Sequence, residues 1–547
     1  MRLRVPCIRT LLTLAAVPSA FAQTALAQTP APPAPLAARA DTLPLRHDAL
    51  HYDIDAELPD TGSLIRMSVA TTWRLTSADS IVIELDTVFS VSAVTVAGAP
   101  APFVRRGGLI VIPNARRAGD TVTTRVAYAG RPREALTIGV NAYGARTIFA
   151  DNWPDRAHHW LASQDHPSQK ATADFHIETS AGVRAIANGV LVRNDTLAGG
   201  RVRWHYRIAE PIPVYTMVIG AGRLATATLP DAACAVRCVP LAVVTYPEDS
   251  AFAVTVPFQR AGAILDYFSA TVGPFPYERL SHVESTTMFG GMENSTAIFY
   301  DDKGYHERRM GELVVAHETA HQWFGDAVTE ADWHHVWLSE GFATYFTALW
   351  LEHAQGIAAR DAQLKANAER IFASKWTEHP VIDVGTPDLL SLLNSNSYQK
   401  GGWVLHSLRG VIGDSAFFAG IRAYYARYRN GTALSSDFAR TMGEAAGRDL
   451  DWYFRQALTQ PGYPVLAMTW RRRGNALDLT ITQTQPRAWG LYRLPGLVID
   501  VDGRRVRVDV DGATTHATVP GVTAPPKSIV VDPDGWWLMR WSVAAGT

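Results

Sequence analysis

Two histidines one helical turn apart, with a glutamate directly after the first, are the residues of this chain best placed to do chemistry. They are His317, Glu318 and His321, in Val315-Ala316-His317-Glu318-Thr319-Ala320-His321. On a helix, positions i and i+4 leave one face, so both imidazoles can reach a single tetrahedral zinc. Glu318 then stands beside the metal without binding it, where it can take a proton from a zinc-bound water. A third ligand follows in Trp337-Leu338-Ser339-Glu340-Gly341-Phe342-Ala343. Its apolar neighbours would bury Glu340, and a buried carboxylate needs a cation. Two His and a distant carboxylate leave the fourth position open, as in catalytic zinc sites, and one zinc per chain is expected. Upstream, Phe289-Gly290-Gly291-Met292-Glu293-Asn294 joins a glycine pair to a carboxylate. Taken alone, it reads as a turn in which backbone can approach another group closely. His158-His159 and His334-His335 are not expected to hold metal, because adjacent side chains point apart on a helix or strand.

The elements that must position these residues fall into three blocks, which gives an α+β multidomain fold. From about residue 45 to 245 the texture is alternating strands, such as His51–Leu58, Ile81–Leu85 and Val122–Val126, separated by Gly, Pro, Asn and Asp turns. That pattern predicts an N-terminal antiparallel β domain built as a sandwich. Residues 246–460 are mostly helical in spacing, with helices expected at 308–325, 337–354, 358–375, 398–410, 415–428 and 450–459. Gly325 is the first Gly or Pro after the metal motif and should stop its helix. Pro461-Gly462-Tyr463-Pro464 ends the helical block. Alternation at Leu477–Gln483 and Leu497–Val501 then predicts a small C-terminal β domain over 461–547. Arg471-Arg472-Arg473 reads as a solvated turn, and Trp536, Trp537 and Trp541 as core of the last domain.

Composition sets further bounds. The chain has 547 residues, 47% of them hydrophobic, with 51 Lys+Arg against 52 Asp+Glu. That is globular composition, and the balance of charge excludes a nucleic-acid partner held by bulk electrostatics. There is no apolar run of about 18 residues, so no ordinary membrane span is expected. Residues 1–22 read as a signal peptide: Arg2, Arg4 and Arg9, an apolar centre from Leu11 to Val17, and Ala20-Phe21-Ala22 as the cleavage site, with Ala25-Leu26-Ala27 as a second candidate. The expected location is therefore periplasmic or extracellular. Residues 23–44 form a Pro/Ala-rich linker not expected to pack. Cys234 and Cys238, left after cleavage, are expected to form a disulfide across a short loop, with a free thiol pair as the alternative.

Gly290-Gly291-Met292-Glu293-Asn294, then His317-Glu318-x-x-His321, then Glu340, together resemble the zinc aminopeptidases of the gluzincin family, which includes alanyl aminopeptidases and leukotriene A4 hydrolase. Ser397-Tyr398-Gln399-Lys400-Gly401 is similar to the family's Tyr-x-Lys-Gly segment. Asp155-Arg156-Ala157, Asp165-His166-Pro167 and Lys170-Ala171 resemble its N-terminal domain, and Val214–Ile219 more loosely a strand late in that domain. The resemblance implies a thermolysin-like catalytic domain and removal of N-terminal amino acids from peptides. His317, His321 and Glu340 would hold zinc, Glu318 would be the general base, and Tyr398 would donate to the oxyanion. Glu293 would bind the free α-amino group, and Gly290, Gly291, Met292 and Asn294 would line the peptide's path, the backbone of 290–292 holding it as an added strand. Two departures stand out. Gly291 replaces the family's usual Ala, which should if anything widen tolerance. The N-terminal residue that helps grip the amine is not fixed: Asp151, Asn152 and Gln164 all remain candidates. An endopeptidase, a bifunctional epoxide hydrolase and a peptide-binding pseudoenzyme are the competing readings.

Overall fold

The strands of the N-terminal block form because every second residue is apolar. In His47–Glu57, for example, Tyr52, Ile54 and Ala56 face the core. The computed structural model describes Leu36 and residues 47–546. The expected leader (1–22) lies outside the described residues, and so does the linker (23–44) apart from Leu36. That leucine corrects the expectation of an unpacked stretch, since it is 2% exposed and belongs to the main core. Burying one Leu contributes about 1.5–3 kcal/mol.

An eight-stranded sheet dominates the N-terminal block. Its order is Val190–Thr196, Val202–Pro213, Lys170–Thr179, His47–Glu57, Ile65–Leu75, Thr121–Gly130, Ser90–Val96 and Ala99–Pro100. It is antiparallel as expected, except that His47–Glu57 and Lys170–Thr179 run parallel. Four-stranded and three-stranded sheets complete the block. Val214–Thr216, which resembled a strand, is a turn of 3-10 helix leading to the strand Ile219–Gly222.

The boundary after residue 245 shifts. Ala225–Ala232 and Val239–Thr245 pair onward with Leu280–Ser285, Ala297–Asp301 and Gly291–Met292 in one five-stranded sheet. These strands therefore belong with the catalytic block. The two-residue strand Gly291–Met292 is an edge of that sheet, paired only with Ala297–Asp301. Against this sheet lie the helices Ser250–Thr255, Ala261–Thr271 and Glu312–His321; Glu312–His321 packs in turn on Trp337–Gln355, which packs on Ile357–Phe372 and Gly401–Ile412, and Asp414–Tyr428, Ser435–Ala446 and Asp451–Thr459 complete the helical block. The motif helix is shorter than expected. It begins after Arg308, at φ +55°, and an extended Gly311, and it ends at His321, four residues before Gly325. Ser435–Ala446 is an additional helix; the Asp437 carboxylate accepts from the Leu434 N–H at 2.9 Å and closes its first turn.

The C-terminal block has two sheets around a core of its own. Arg471–Arg473 form the exposed end of the strand Val465–Arg473 and not a turn, because they pair with Ala476–Asp478. Trp536 is not core of this block either: its ring stacks on His406 of the helical block, centroids 4.9 Å apart, and Trp541 is exposed. Cys234 and Cys238 are joined by a disulfide on an exposed loop.

Candidate active site

His317 and His321 leave one face of the motif helix, their Nε2 atoms 3.2 Å apart. Glu340, in the first turn of Trp337–Gln355, brings Oε2 to 3.3 Å from each of them. At zinc–ligand distances of about 2.0–2.1 Å, the edge of a tetrahedron is about 3.3–3.4 Å, so the three donor atoms have the spacing of one zinc face. The ring of His321 is fixed in the matching tautomer. Its Nδ1 donates to Phe324 O at 3.1 Å and lies 2.9 Å from Ser339 Oγ, which leaves Nε2 as a free lone pair. Gly325 makes this possible. At φ +119° it turns the chain sharply, and a Cβ there would stand 2.4 Å from Ser339 Oγ.

The charge balance of the enclosure also calls for a cation. Glu293, Glu318, Asp326, Glu330 and Glu340 are all buried. Burial pushes Glu293 up to about 7 and Glu330 up to about 8, and drives Glu318 and Asp326 well above the usual carboxylate range. Among the described residues, Glu293 Oε1 and both carboxylate oxygens of Glu330 have no hydrogen-bond donor. Leaving buried acceptors unpaired costs free energy, and a dication on the His317/His321/Glu340 face with an ammonium near Glu293 would relieve it. The residues present fit zinc.

Glu293, Glu318 and His321 each place a donor atom within 4.8 Å of the others. Gln322 ties the two segments together. Its Nε2 donates to Glu293 O at 2.7 Å and to Asp326 Oδ2 at 2.8 Å, while its Oε1 accepts from Thr296 N at 2.9 Å. Gly291 has a more specific role than widening tolerance. An added Cβ would lie 2.2 Å from Glu318 Oε1 and 2.8 Å from its Cγ, so the absence of a side chain lets Glu318 rest against the edge strand. Gly290 is exposed, whereas the side chains of Met292 and Asn294 are buried away from solvent.

Tyr398 sits on a π-helical turn, Asn396–Lys400. Its ring lies parallel to that of His317, centroids 6.0 Å apart. Burial and then the charge of Glu340 hold its phenol well above the ordinary value, so it stays protonated and able to donate. The candidate amine anchors are committed elsewhere. Asp151 accepts from Arg156 at 3.0 Å and from Met288 N at 2.9 Å. Asn152 bonds Met217 O and Trp160 Nε1, and Gln164 donates to Val82 O. Among the described residues none of the three bonds Glu293. The residue that does reach Glu293 from the N-terminal block is Tyr215, whose phenol stands against that carboxyl and donates to Gly325 O at 3.3 Å. Sequence reading missed both Tyr215 and Glu330; no local signal marks either one. The His pairs hold carboxylate or hydroxyl partners, His158 with Asp165, His159 with Asp86, His334 with Asp332 and His335 with Ser435. The rings of His158 and His159 do not point apart; they lie 4.2 Å apart, tilted at 37°.

Residues 258–456 match the family description "Peptidase family M1 domain". A probable aminopeptidase 1 of Sulfurisphaera tokodaii is 23% identical over 459 residues, covering 78% of this chain and 56% of the relative. An aminopeptidase N of Lactococcus lactis subsp. lactis is 29% identical over 323 residues, 55% of this chain and 37% of the relative. The chain thus spans about half the length of the curated relatives it matches. A crystal structure of an M1 zinc metallopeptidase from Deinococcus radiodurans superposes with TM-score 0.69 at 24% identity, covering 77% of this chain and 95% of that one. Over the superposed 77% of the chain the two share a fold.

Proposed function

We propose that the chain, which matches the peptidase family M1 domain through residues 258–456, is an exported zinc aminopeptidase of that gluzincin family, with one zinc per chain, that removes N-terminal residues from peptides. The observation that carries the reading is the convergence of His317 Nε2, His321 Nε2 and Glu340 Oε2 at 3.2–3.3 Å from one another. When bound there, zinc acidifies the attacking water and polarises the scissile carbonyl.

The chain's own residues do the rest. Glu293, whose Oε1 has no hydrogen-bond partner among the described residues, pairs with the substrate's ammonium and fixes how far the scissile bond lies from the chain end. The edge strand Gly291–Met292 accepts the peptide backbone by strand addition. Glu318 takes the proton of the attacking water and passes it to the departing amine. Tyr398 donates its phenolic hydrogen to the carbonyl oxygen as negative charge develops there. Export rests on the Arg-rich, apolar and Ala-x-Ala order of residues 1–22, and an exposed disulfide suits an oxidising compartment.

The test is a panel of free and N-acetylated aminoacyl fluorophores, assayed on protein whose zinc has been quantified. Acetylation removes the charge that Glu293 pairs with, at a cost of at least about 1–3 kcal/mol, so free substrates should be preferred by about tenfold to over a hundredfold. Glu293→Ala should erase most of that gap by slowing the free substrates. Equal cleavage of free and acetylated peptides at internal bonds would identify an endopeptidase instead.

A further inference from the structure

Two residues after Tyr398, Lys400 lines a pocket between the helical block and the C-terminal β domain. Its walls come from the helix Gly401–Ile412 (Trp403), the helix Asp451–Thr459 (Tyr453) and the segments carrying Tyr463, Tyr492 and Trp537. The cavity is about 50 Å³. At the roughly 10–15 Å³ that a water needs, this holds a few waters or one small organic molecule. Most polar groups around it are already committed. Tyr453 donates to Val404 O at 2.6 Å and Tyr492 to Pro461 O at 2.7 Å. Gln456 donates to Arg493 O at 3.0 Å and accepts from Arg493 N at 2.9 Å.

Lys400 is the exception. It is 5% exposed, and its Nζ makes one hydrogen bond among the described residues, a long one of 3.3 Å to Gln460 O. An ammonium has three hydrogens to give. Among the described residues no carboxylate compensates it, and burial pushes it down to about 7. A nearly buried cation facing an aromatic cavity without a counter-charge is costly unless something anionic joins it.

We propose that this pocket is a binding site for a short-chain carboxylate of acetate to butyrate size, its carboxylate on Lys400 Nζ and its alkyl part against Trp403, Tyr463 and Trp537. The charge of Lys400 selects an anion, the aromatic walls select an apolar body, and the volume limits its length. The site is distinct from the zinc face: none of His317, His321, Glu340 or Glu318 lines it.

Calorimetric titration of the zinc-loaded protein with sodium butyrate, at constant ionic strength, tests this. Saturable binding is expected, with butyramide, the neutral isostere, weaker by about tenfold or more because it lacks the charge-assisted bond. Lys400→Met should remove the selectivity for the acid. Ala457→Phe, which keeps the ammonium but fills the pocket, should weaken butyrate to a similar extent, so a folding defect in the first variant leaves the second as an independent test. Equal affinity for butyrate and butyramide, wild-type affinity in either folded variant, or butyrate binding that survives both variants and disappears on stripping zinc would each overturn the proposal; the last would place butyrate on the metal.

Discussion

Replacing Lys170 by Met should loosen the turn that follows the metal helix, although the two are far apart in sequence. Lys170 opens the strand Lys170–Thr179, and its Nζ shares three hydrogens among four acceptors, Asp326 O at 2.7 Å, Ala327 O at 2.9 Å, Thr329 Oγ1 at 3.0 Å and Gly431 O at 3.1 Å. Methionine keeps the apolar stem and removes every donor. The four bonds do not simply add, because two of the carbonyls keep other partners: Asp326 O accepts from the Thr329 hydroxyl at 3.0 Å, and Ala327 O from Asn430 N at 2.7 Å. About 1.5–3 kcal/mol per bond to a charged donor, with part of the loss returned by no longer desolvating an ammonium, gives a net cost of about 2–4 kcal/mol. At 1.4 kcal/mol per decade this is about a 30- to 1,000-fold rise in local opening. Hydrogen exchange followed by mass spectrometry reads it directly. The amides of Gly325, Asp326, Ala327 and Val328 are all hydrogen-bonded within residues 321–328 and should lose protection by that factor, while the C-terminal β domain does not change. Unchanged protection across 322–331 in a folded variant would refute the claim that Lys170 holds this turn.

Three further outcomes are expected at the site. Glu318→Gln should retain zinc and lose about 100-fold or more in turnover, since the amide cannot accept a proton; activity within about tenfold of wild type would remove the general-base role. Glu340→Ala should show marked zinc loss by elemental analysis, because one of three converging donors is gone; full metal content would take Glu340 out of the coordination sphere. Tyr398→Phe should lower kcat and kcat/KM together by about 100- to 1,000-fold, whereas a rise in KM alone would make Tyr398 a ground-state contact.

The convergence of His317, His321 and Glu340 was legible because these residues are close in sequence or stand in fixed motifs. Helical spacing alone puts His317 and His321 on one face, and the apolar flanks of Glu340 argue for its burial. What escaped depends on distant segments meeting. Tyr215 and Lys170 act on the catalytic block across more than seventy residues of chain, and nothing near them in sequence announces it. The sheet that joins Ala225–Thr245 to the catalytic block was hidden for the same reason: parallel pairing across a long crossover leaves no local turn signal. The motif helix ends earlier than expected because Gln322 and Trp323 bond the carbonyls three residues back, Thr319 O and Ala320 O, and tighten the chain out of α-helix before Gly325 turns it. The helix Ser435–Ala446 opens on Ser-Ser-Asp and contains Gly443, weak propensities that the packing of Phe438 and Met442 overrides.

The shared sheet and the ties across it bear on how this architecture can be rearranged in evolution. Asn188 Nδ2 donates to Ser295 O and Gly189 N to Thr296 Oγ1, Asp151 holds Met288 N, and Lys170 holds the turn after His321. Each of these bonds joins the N-terminal block to a segment that shapes the active site. A gene fusion that swapped in another N-terminal domain would have to supply the same donors and acceptors at the same places, or leave the loop carrying Glu293 without its supports. The two blocks are thus poor candidates for shuffling as modules. The C-terminal β domain has a core of its own, and its ties to the helical block, Trp536 stacked on His406, Trp489 Nε1 donating to Glu378 at 3.1 Å and Gln456 bonded to Arg493 N and O, involve none of the zinc-face residues. It is the part of the chain that lineages can exchange or lose with least disturbance to the zinc face.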